Sequence, residues 1–397
     1  MRKFIDRLVF IGRQIIRLTI FNLLNTVLLL IPIEKKTILF GGWGGKKYLD
    51  NTKHLFIYFN KQSDGFKKIW ITKDKGLTAF INAQGYSAYY AYSIIGMIKQ
   101  IRASAIIFCQ SVEEDFLSYL IKPYIQRIQL WHGTPIKKIG YSDKFNISSK
   151  GVIQIVNLII PFYTDRLDLC IAIGEYDKKI YEGAFNISPE NVVITGYPRN
   201  DILMLKKNVD VEHILARKIL YLPTHRVDFS YLQSCLLNEV LSDHVQKALK
   251  SMNCKLYVKL HPAQTLNKDL SIIFDGKDDF NFIYQDQFKD IYDEIFEYDI
   301  FITDVSGFFF DIILTERKIY NYFPDLQKYL ETERDLYYDI NEISISKVYS
   351  NFTDLINDIA KGHYDDGRHN SIRNKFHAFQ DGKSSDRVYD EIIKRLR

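Results

Sequence analysis

The chain has 397 residues, of which 47% are hydrophobic and 25% are charged, and its net charge is +5. This composition is typical of a globular protein and excludes a disordered chain, a collagen-like fibre and a coiled coil, while the length favours two domains. The four cysteines form no Cys-x-x-Cys pair, which argues against a disulfide-stapled scaffold and a structural zinc site. So mild a charge does not indicate nucleic-acid binding.

Residues 1–36 combine basic and apolar side chains. Lys3 and Arg7 are four residues apart and can share one helix face. The uncharged run that follows, residues 18–33, is shorter than the roughly 20 residues of a spanning helix. A secretory signal is a poor match because no small-residue cleavage site follows. The pattern favours peripheral attachment to the cytoplasmic face of an anionic membrane, with a soluble helix or a true span as the alternatives.

Short apolar runs alternate with helical stretches in residues 37–210, which predicts a first domain with a parallel sheet. Its strand candidates are residues 37–40, 67–72, 104–109, 128–131, 167–173 and 191–196. Its helix candidates include residues 89–103 and 150–160.

The same alternation begins again in residues 211–397, the second predicted domain. Its strand candidates are residues 217–223, 254–260, 281–285, 300–303 and 318–323. Its helix candidates are residues 230–251, 287–297, 307–316 and, at the end, 369–397. We therefore predict an α/β fold of two Rossmann-like domains that face a central cleft, with the ligand beyond the carboxyl ends of the strands.

A glycine-rich stretch, GGWGGKK, follows the first strand candidate. It is not a phosphate-binding P-loop, because Lys46 stands where that motif needs its second glycine. The glycines allow either a tight turn or the close approach of a ligand to the backbone.

The stretch WHGTPIKKIG, residues 131–140, comes directly after an apolar strand candidate. A histidine at the end of a strand in a cleft can act as a general base, so we assign His132 as catalytic; a structural histidine is the alternative. The neighbouring lysines would supply positive charge for a phosphate. The residues expected to contact the acceptor or its phosphate are Gly133, Thr134, Lys137 and Lys138.

The stretch TGYPRND follows another strand candidate. Its Arg199 is expected to hold a phosphate and to pair with Asp201. The alternative is a turn at the domain boundary that this ion pair braces.

Polar residues also follow the strands of the second domain, in YLPTHR, VKLHP and FITDVSGFFFD. Because they would converge on one edge of the sheet, we expect donor contacts from Thr224, Arg226, Lys259 and His261, with Asp304, Ser306 and Gly307 forming an anion site at a helix start. A simple helix cap is the alternative there. The chain contains no Asp-x-Asp pair, so the charge of a pyrophosphate would be met by basic residues and helix N-termini without a metal.

Over roughly residues 37–340 the chain resembles the CDP-glycerol glycerophosphotransferases of teichoic acid and capsule synthesis. The resemblance rests on an ordered set of stretches: FGGWGGKKYLDNTKHLF, WHGTPIKKIG, GYPRND, YLPTHR, a strand ending in His-Pro, TDVSGFFFD and RDLYYD. Because only some 36 residues precede this region, the chain looks more like the shorter, priming members.

The resemblance implies a GT-B-type fold on the inner face of the membrane, with no cofactor. It implies transfer of glycerol phosphate from CDP-glycerol, or a related polyol phosphate from CDP-ribitol, to a hydroxyl of a lipid-linked saccharide or growing polymer, with release of CMP. In that family the histidine that corresponds to His132 is regarded as the base. His261 corresponds to a catalytic histidine at the donor phosphates, and Thr303 to Ser306 correspond to a donor-site element.

The chain departs from the family pattern at Val305 and Gly307, where tyrosine and a second serine are common. Glycine in place of the second serine removes one hydroxyl that could donate to a phosphate, but the backbone N–H of Gly307 can still donate. The alternatives are a GT-B glycosyltransferase that uses a nucleotide-sugar donor and an inactive membrane-bound assembly subunit.

Overall fold

The structure is a computed structural model. It describes residues 26–143, 166–205, 217–226, 228–260, 279–283, 290–332 and 335–397. Within these ranges the chain forms two parallel β-sheets, one in each half.

The first sheet has seven strands in the order β3-β2-β1-β4-β5-β6-β7. The strands are β1 (Thr37–Phe40), β2 (Lys67–Thr72), β3 (Ala88–Tyr90), β4 (Ala105–Phe108), β5 (Gln126–Gln129), β6 (Leu169–Ala172) and β7 (Val192–Ile194). All neighbours are parallel.

The second sheet has six parallel strands in the order β10-β9-β8-β11-β12-β13. The strands are β8 (Arg217–Leu222), β9 (Cys254–Val258), β10 (Phe280–Phe282), β11 (Ile300–Thr303), β12 (Lys318–Tyr322) and β13 (Val348–Tyr349). The strand order reverses between β1 and β4 in the first sheet and between β8 and β11 in the second. Ligands of such sheets bind beyond the carboxyl ends of the strands at the point of reversal.

The α-helices of the described ranges lie between the strands and after them. They are α1 (Asp50–Asn60), α2 (Lys75–Ala83), α3 (Ile94–Arg102), α4 (Val112–Asp115), α5 (Glu175–Phe185), α6 (Asp201–Leu205), α7 (Ser230–Cys235), α8 (Asp243–Ser251), α9 (Ile291–Glu294), α10 (Phe308–Ile312), α11 (Leu326–Thr332), α12 (Ile340–Ile343), α13 (Phe352–Ala360), α14 (Asp366–Phe376) and α15 (Ser384–Leu396).

The central strands are short apolar runs because they are covered on both faces. Every residue of β1, β4, β6 and β11 is buried, as expected for parallel strands between two helical layers. Several helices start at a side-chain cap; for example, Ser93 accepts a hydrogen bond from the N–H of Gly96 at 3.0 Å.

Helix α15 returns to the first half after the second sheet is complete. Tyr389 stacks edge-on against Phe59 of α1, with 4.8 Å between ring centroids, and its hydroxyl donates to Asp64 at 3.0 Å. The terminal helix was predicted as part of the second domain, residues 211–397, whereas these contacts lie on the first half. The physical reason is an apolar face that covers α1 beside the sheet.

The predicted α/β architecture with parallel sheets is confirmed. Two short strands, β3 and β13, were not predicted. The helix predicted at 89–103 starts with β3 and becomes helical only at Ile94, and the predicted terminal helix is two helices, α14 and α15.

The helix predicted at 150–160 and residues 1–25 of the N-terminal segment lie outside the described residues. Across the part of the chain that the structure describes, no helix combines the length and the apolar character needed to cross a membrane.

Candidate active site

A cavity of about 310 Å³ lies where the carboxyl ends of strands from both sheets meet. The first half contributes the segments that follow β1, β5 and β7, and the second half contributes those that follow β8, β9 and β11. The residues predicted from the sequence that line it are His132, Gly133, Thr134, Lys137, Arg199, Thr224, Lys259, Ser306 and Gly307.

His132 is held in one orientation beside the cavity. Its half-buried ring lies against the Trp131 indole, with 4.2 Å between ring centroids, and its Nδ1 is 2.9 Å from the carbonyl oxygen of Cys109. A carbonyl only accepts hydrogen bonds, so Nδ1 carries the proton of the neutral ring and Nε2 keeps its lone pair. The ring can therefore take a proton at Nε2.

The surroundings of His132 keep the imidazole neutral. Burial lowers its pKa below the ordinary 6.5, and the charges of Arg199 and Lys137 act in the same direction, while the Cys109 carbonyl and Asp50 oppose them. The neutral form that predominates at neutral pH is the one a general base requires.

Arg199 is a buried brace that joins the two halves. Its Nη1 donates to Asp50 and, at 3.0 Å, to the carbonyl oxygen of His132, and its Nη2 donates to Asp311 at 2.6 Å. The predicted pairing of Arg199 with Asp201 is wrong. The Asp201 carboxylate instead accepts the N–H groups that open α15, those of Ser384 and Ser385, at 2.7 Å each.

The walls of the cavity hold non-glycine residues in the left-handed region. Trp43 has a φ of 51°, Asp50 of 72° and Trp131 of 53°. Asp50 is fixed by Trp43, whose Nε1 donates to it at 3.1 Å, and by Asp290, which accepts its N–H at 3.1 Å. Such conformations cost about 1–3 kcal/mol each and persist only where the surroundings enforce them, so this wall is preorganised.

The segment after His132 rests on a buried carboxylate. Asp177 accepts hydrogen bonds from the Thr134 hydroxyl at 3.0 Å and the Tyr197 hydroxyl at 3.2 Å. Burial raises the pKa of Asp177 to about 7. The Thr134 side chain is thus committed to Asp177, and Thr134 lines the cavity as part of a fixed turn.

Arg226 forms a second buried brace beneath the carboxyl edge of the second sheet. It donates to Asp304 at 2.9 Å and to both oxygens of Asp325 at 2.9 and 3.0 Å. Asp304 also accepts the N–H of Thr224 at 3.1 Å. Arg226 and Asp304 therefore position Thr224 instead of lining the cavity, as does Thr303, whose hydroxyl binds the carbonyl of Leu222 at 3.2 Å.

The start of α10 touches the segment after His132. Ser306 lines the cavity, and its hydroxyl accepts the N–H of Phe308 at 3.3 Å. A Cβ on Gly307 would lie 2.5 Å from the carbonyl oxygen of Thr134. Glycine at this position allows a close approach of the second half to the first that a serine side chain would prevent.

We expect Gly307→Ser to lower the free energy of unfolding by about 1–3 kcal/mol, because overpacking at a rigid backbone contact forces a shift. Urea unfolding followed by circular dichroism measures it. Gly183→Ser is the matched control, since a Cβ there meets nothing within 4 Å. Equal stability of the two variants would contradict the close contact.

Some predicted residues lie elsewhere. Lys138 does not line the cavity, and its backbone N–H donates to the carbonyl of Asp335 at 2.8 Å. His261 lies outside the described residues, so its predicted catalytic role stays a prediction. Among the residues with described positions, no group of three or more His, Cys, Asp or Glu side chains is placed to hold a metal ion.

The cavity residues that were not predicted include Trp43, Asp50, Tyr292 and Asp311. Trp43 and Asp50 lie in FGGWGGKKYLDNTKHLF, and Asp311 ends FITDVSGFFFD. The polar residues of these motifs were therefore available as candidates. Tyr292, which donates to Asp311 at 2.6 Å, has no signal of its own in the sequence.

Residues 23–394 match the family described as CDP-glycerol:poly(glycerophosphate) glycerophosphotransferase. A teichoic acid glycerol-phosphate transferase of Staphylococcus aureus (strain NCTC 8325 / PS 47) is 30% identical over 91% of this chain and 94% of that protein. A teichoic acid poly(glycerol phosphate) polymerase of Bacillus spizizenii (strain ATCC 23059 / NRRL B-14472 / W23) is 24% identical over 94% of this chain and 96% of that protein. Since a relative of nearly this length is named a polymerase, length does not separate priming from polymerising members.

Among solved structures, the wall teichoic acid polymerase TagF has a TM-score of 0.75 against this chain, at 22% sequence identity. The match covers 100% of this chain and 98% of that one. At this level of identity the likeness concerns the fold, which is shared across both sheets.

Proposed function

The chain belongs to the CDP-glycerol:poly(glycerophosphate) glycerophosphotransferase family, and from this premise we propose that it transfers glycerol phosphate from CDP-glycerol to a hydroxyl of a lipid-linked saccharide or growing polymer. The observation that carries the proposal is the His132 ring, which has Nε2 left to accept a proton at the junction of the two sheets. In this GT-B arrangement residues 37–210 bind the acceptor and residues 211–397 bind the CDP donor across a central cleft.

The reaction is a displacement at the β-phosphorus. His132 Nε2 takes the proton of the acceptor hydroxyl, and the oxygen forms a new bond to phosphorus. The bond between that phosphorus and the bridging oxygen of CMP breaks, and CMP leaves as a stable anion. A positioned base of this kind contributes about 10²–10⁴-fold to the rate.

Positive charge near the transferred phosphoryl group comes from the cavity lysines. Lys137 and Lys259 line the cavity from opposite halves. Cations placed where charge develops stabilise the transition state. Arg199 and Arg226, which are committed to buried carboxylates, hold the surrounding segments in place.

The experiment that tests the function is CMP release from the purified protein with CDP-glycerol, CDP-ribitol and a CMP-sugar in turn. Each donor is used with and without a lipid-linked disaccharide, in EDTA and in Mg²⁺. Acceptor-dependent CMP from one CDP-alditol supports the proposal and identifies the donor. Turnover of only a CMP-sugar or another nucleotide sugar would favour the glycosyltransferase alternative.

We expect the acid limb of the kcat/KM profile to lie below pH 6.5, because burial lowers the pKa of His132 below that value. As the pH falls through the lowered pKa, the ring gains a proton and can no longer accept one, so the rate falls. Initial rates of CMP release at constant ionic strength measure the profile. An acid limb above pH 6.5 would contradict the assignment.

We further propose that the protein attaches peripherally to the cytoplasmic face of an anionic membrane. Besides the basic segment 1–36, helix α3 supports this, because its side chains Ile94, Ile95 and Ile98 are 73%, 54% and 44% exposed. Two basic residues, Lys99 and Arg102, occupy its last turn. Exposed apolar groups beside cations match the interface of an anionic bilayer.

We expect the double variant Ile94→Ser, Ile98→Ser to reduce co-sedimentation with phosphatidylglycerol vesicles by at least about tenfold, since each buried isoleucine contributes about 1.5–3 kcal/mol. Leu330→Ser, at a 40% exposed leucine in the second half, is the matched control. Unchanged vesicle binding by the double variant would show that α3 does not contact the membrane.

A further inference from the structure

Lys47 is a cation with no role in the proposed reaction. It is half-buried, and its Nζ lies 5.8 Å from the centroid of the Trp43 ring, which lines the cavity. No carboxylate in the described ranges forms an ion pair with Lys47, whereas the half-buried Lys68 pairs with Asp64. A half-buried ammonium without an anionic partner is costly unless a ligand supplies the charge.

The turn that carries Lys47 is rigid. Gly44 donates its N–H to Asp115 at 2.8 Å, and Gly45 accepts the Thr72 hydroxyl at 2.6 Å. Gly44 and Gly45 have φ values of 67° and 70°, which only glycine adopts without strain. The glycine-rich stretch therefore fixes the direction in which the chain leaves β1 and delivers Lys47 beside the cavity.

A second cation, contributed by the other half, lines the cavity beside which Lys47 lies. Lys259 follows β9 and lines the same cavity as Trp43. Lys47 reaches this cavity through its contact with Trp43. Burial lowers the pKa of Lys47, and the charge of Lys259 lowers it further. Two cations brought together from opposite sheets form a site for an anion that touches both halves.

We propose that Lys47 and Lys259 together bind the phosphoryl oxygens of the CDP-alditol donor, each half supplying one cation. This inference rests on the proposed function. The transferred phosphoryl group meets both halves during the reaction, because the donor lies on the second and His132 on the first. A phosphodiester of the acceptor has the same chemistry, and the experiment separates the two sources.

The test uses the full-length protein and the variants Lys47→Met, Lys47→Arg and Lys46→Met. Lys46 is exposed and adjacent in sequence, so it controls for the loss of one positive charge. We expect Lys47→Met to weaken CDP-glycerol binding in titration calorimetry by about 10- to 100-fold, the value of one or two charge-assisted hydrogen bonds. Lys47→Arg and Lys46→Met should bind within about threefold of wild type.

A second measurement does not depend on any variant folding. Amine acylation of the wild-type protein at pH 8, read by mass spectrometry, reports the reactivity of Lys47. CDP-glycerol is expected to protect Lys47 and to leave Lys46 reactive. Equal acylation of Lys47 with and without the donor would overturn the inference.

The outcomes distinguish the role of Lys47 in donor binding from the proposed transferase function on which it rests. Wild-type donor affinity in Lys47→Met, on an enzyme that turns over CDP-glycerol, would overturn the role of Lys47 alone. A raised acceptor KM with unchanged donor binding would also overturn it and would assign Lys47 to an acceptor phosphate. Failure of the wild type to bind any CDP-alditol would overturn both.

Discussion

His132→Asn is expected to lower kcat by about 10²–10⁴-fold while CDP-glycerol binding stays near the wild-type value. The asparagine side chain can still donate a hydrogen bond to the Cys109 carbonyl, as Nδ1 does at 2.9 Å. An amide cannot take a proton at neutral pH, so only the base function is removed. CMP release gives kcat, and titration calorimetry with CDP-glycerol gives the affinity.

The matched control is His244→Asn. His244 is an exposed histidine on α8 whose Nε2 lies 3.1 Å from the Asn357 side chain, and it does not line the cavity. We expect its kcat to be unchanged. A wild-type kcat in His132→Asn would refute the assignment of His132 as the base. A loss of CDP-glycerol affinity as large as the loss of kcat would show that His132 binds the donor instead.

Arg199→Met is expected to lower the free energy of unfolding by about 3–5 kcal/mol, the usual cost of removing one partner of a buried ion pair. The variant leaves the Asp50 and Asp311 carboxylates buried without their shared cation. It also removes the donor to the His132 carbonyl, so turnover should fall with stability. Urea unfolding and CMP release measure the two effects.

Lys218→Met provides the comparison for Arg199→Met. Lys218 pairs with Glu297 at 2.8 Å, but both side chains are partly exposed, and such pairs contribute about 0–1 kcal/mol. Arg199→Lys should not restore stability, because one ammonium cannot form the fork that reaches two carboxylates and a carbonyl. Equal losses of unfolding free energy in Lys218→Met and Arg199→Met would show that the buried ion pairs of Arg199 stabilise the fold no more than an exposed pair does.

The residues that line the cavity could be predicted where they directly follow a strand. His132, Thr224, Lys259 and Ser306 each come within a few residues of a strand end, and parallel strands bring such positions to one edge. The sequence pattern therefore sufficed to place them together without knowledge of the long-range contacts.

The braces could not be predicted, because their partners are distant in sequence. Arg199 binds Asp50 and Asp311, which are 149 and 112 residues away, whereas sequence reasoning offered only its neighbour Asp201. Arg226 likewise depends on Asp325, which is 99 residues away. The packing of the two halves decides which carboxylates are buried against each arginine.

The position of α15 has a consequence for the order in which the protein folds. The ribosome makes this helix only after the whole second sheet, yet the helix covers α1 of the first half and binds Asp64 and Asp201 there. Until then the part of α1 that Tyr389 covers beside Phe59 is exposed, so the half that carries His132 completes its packing only after its own synthesis has ended. Nascent chains arrested before residue 384 should expose this surface and be the species that chaperones recognise.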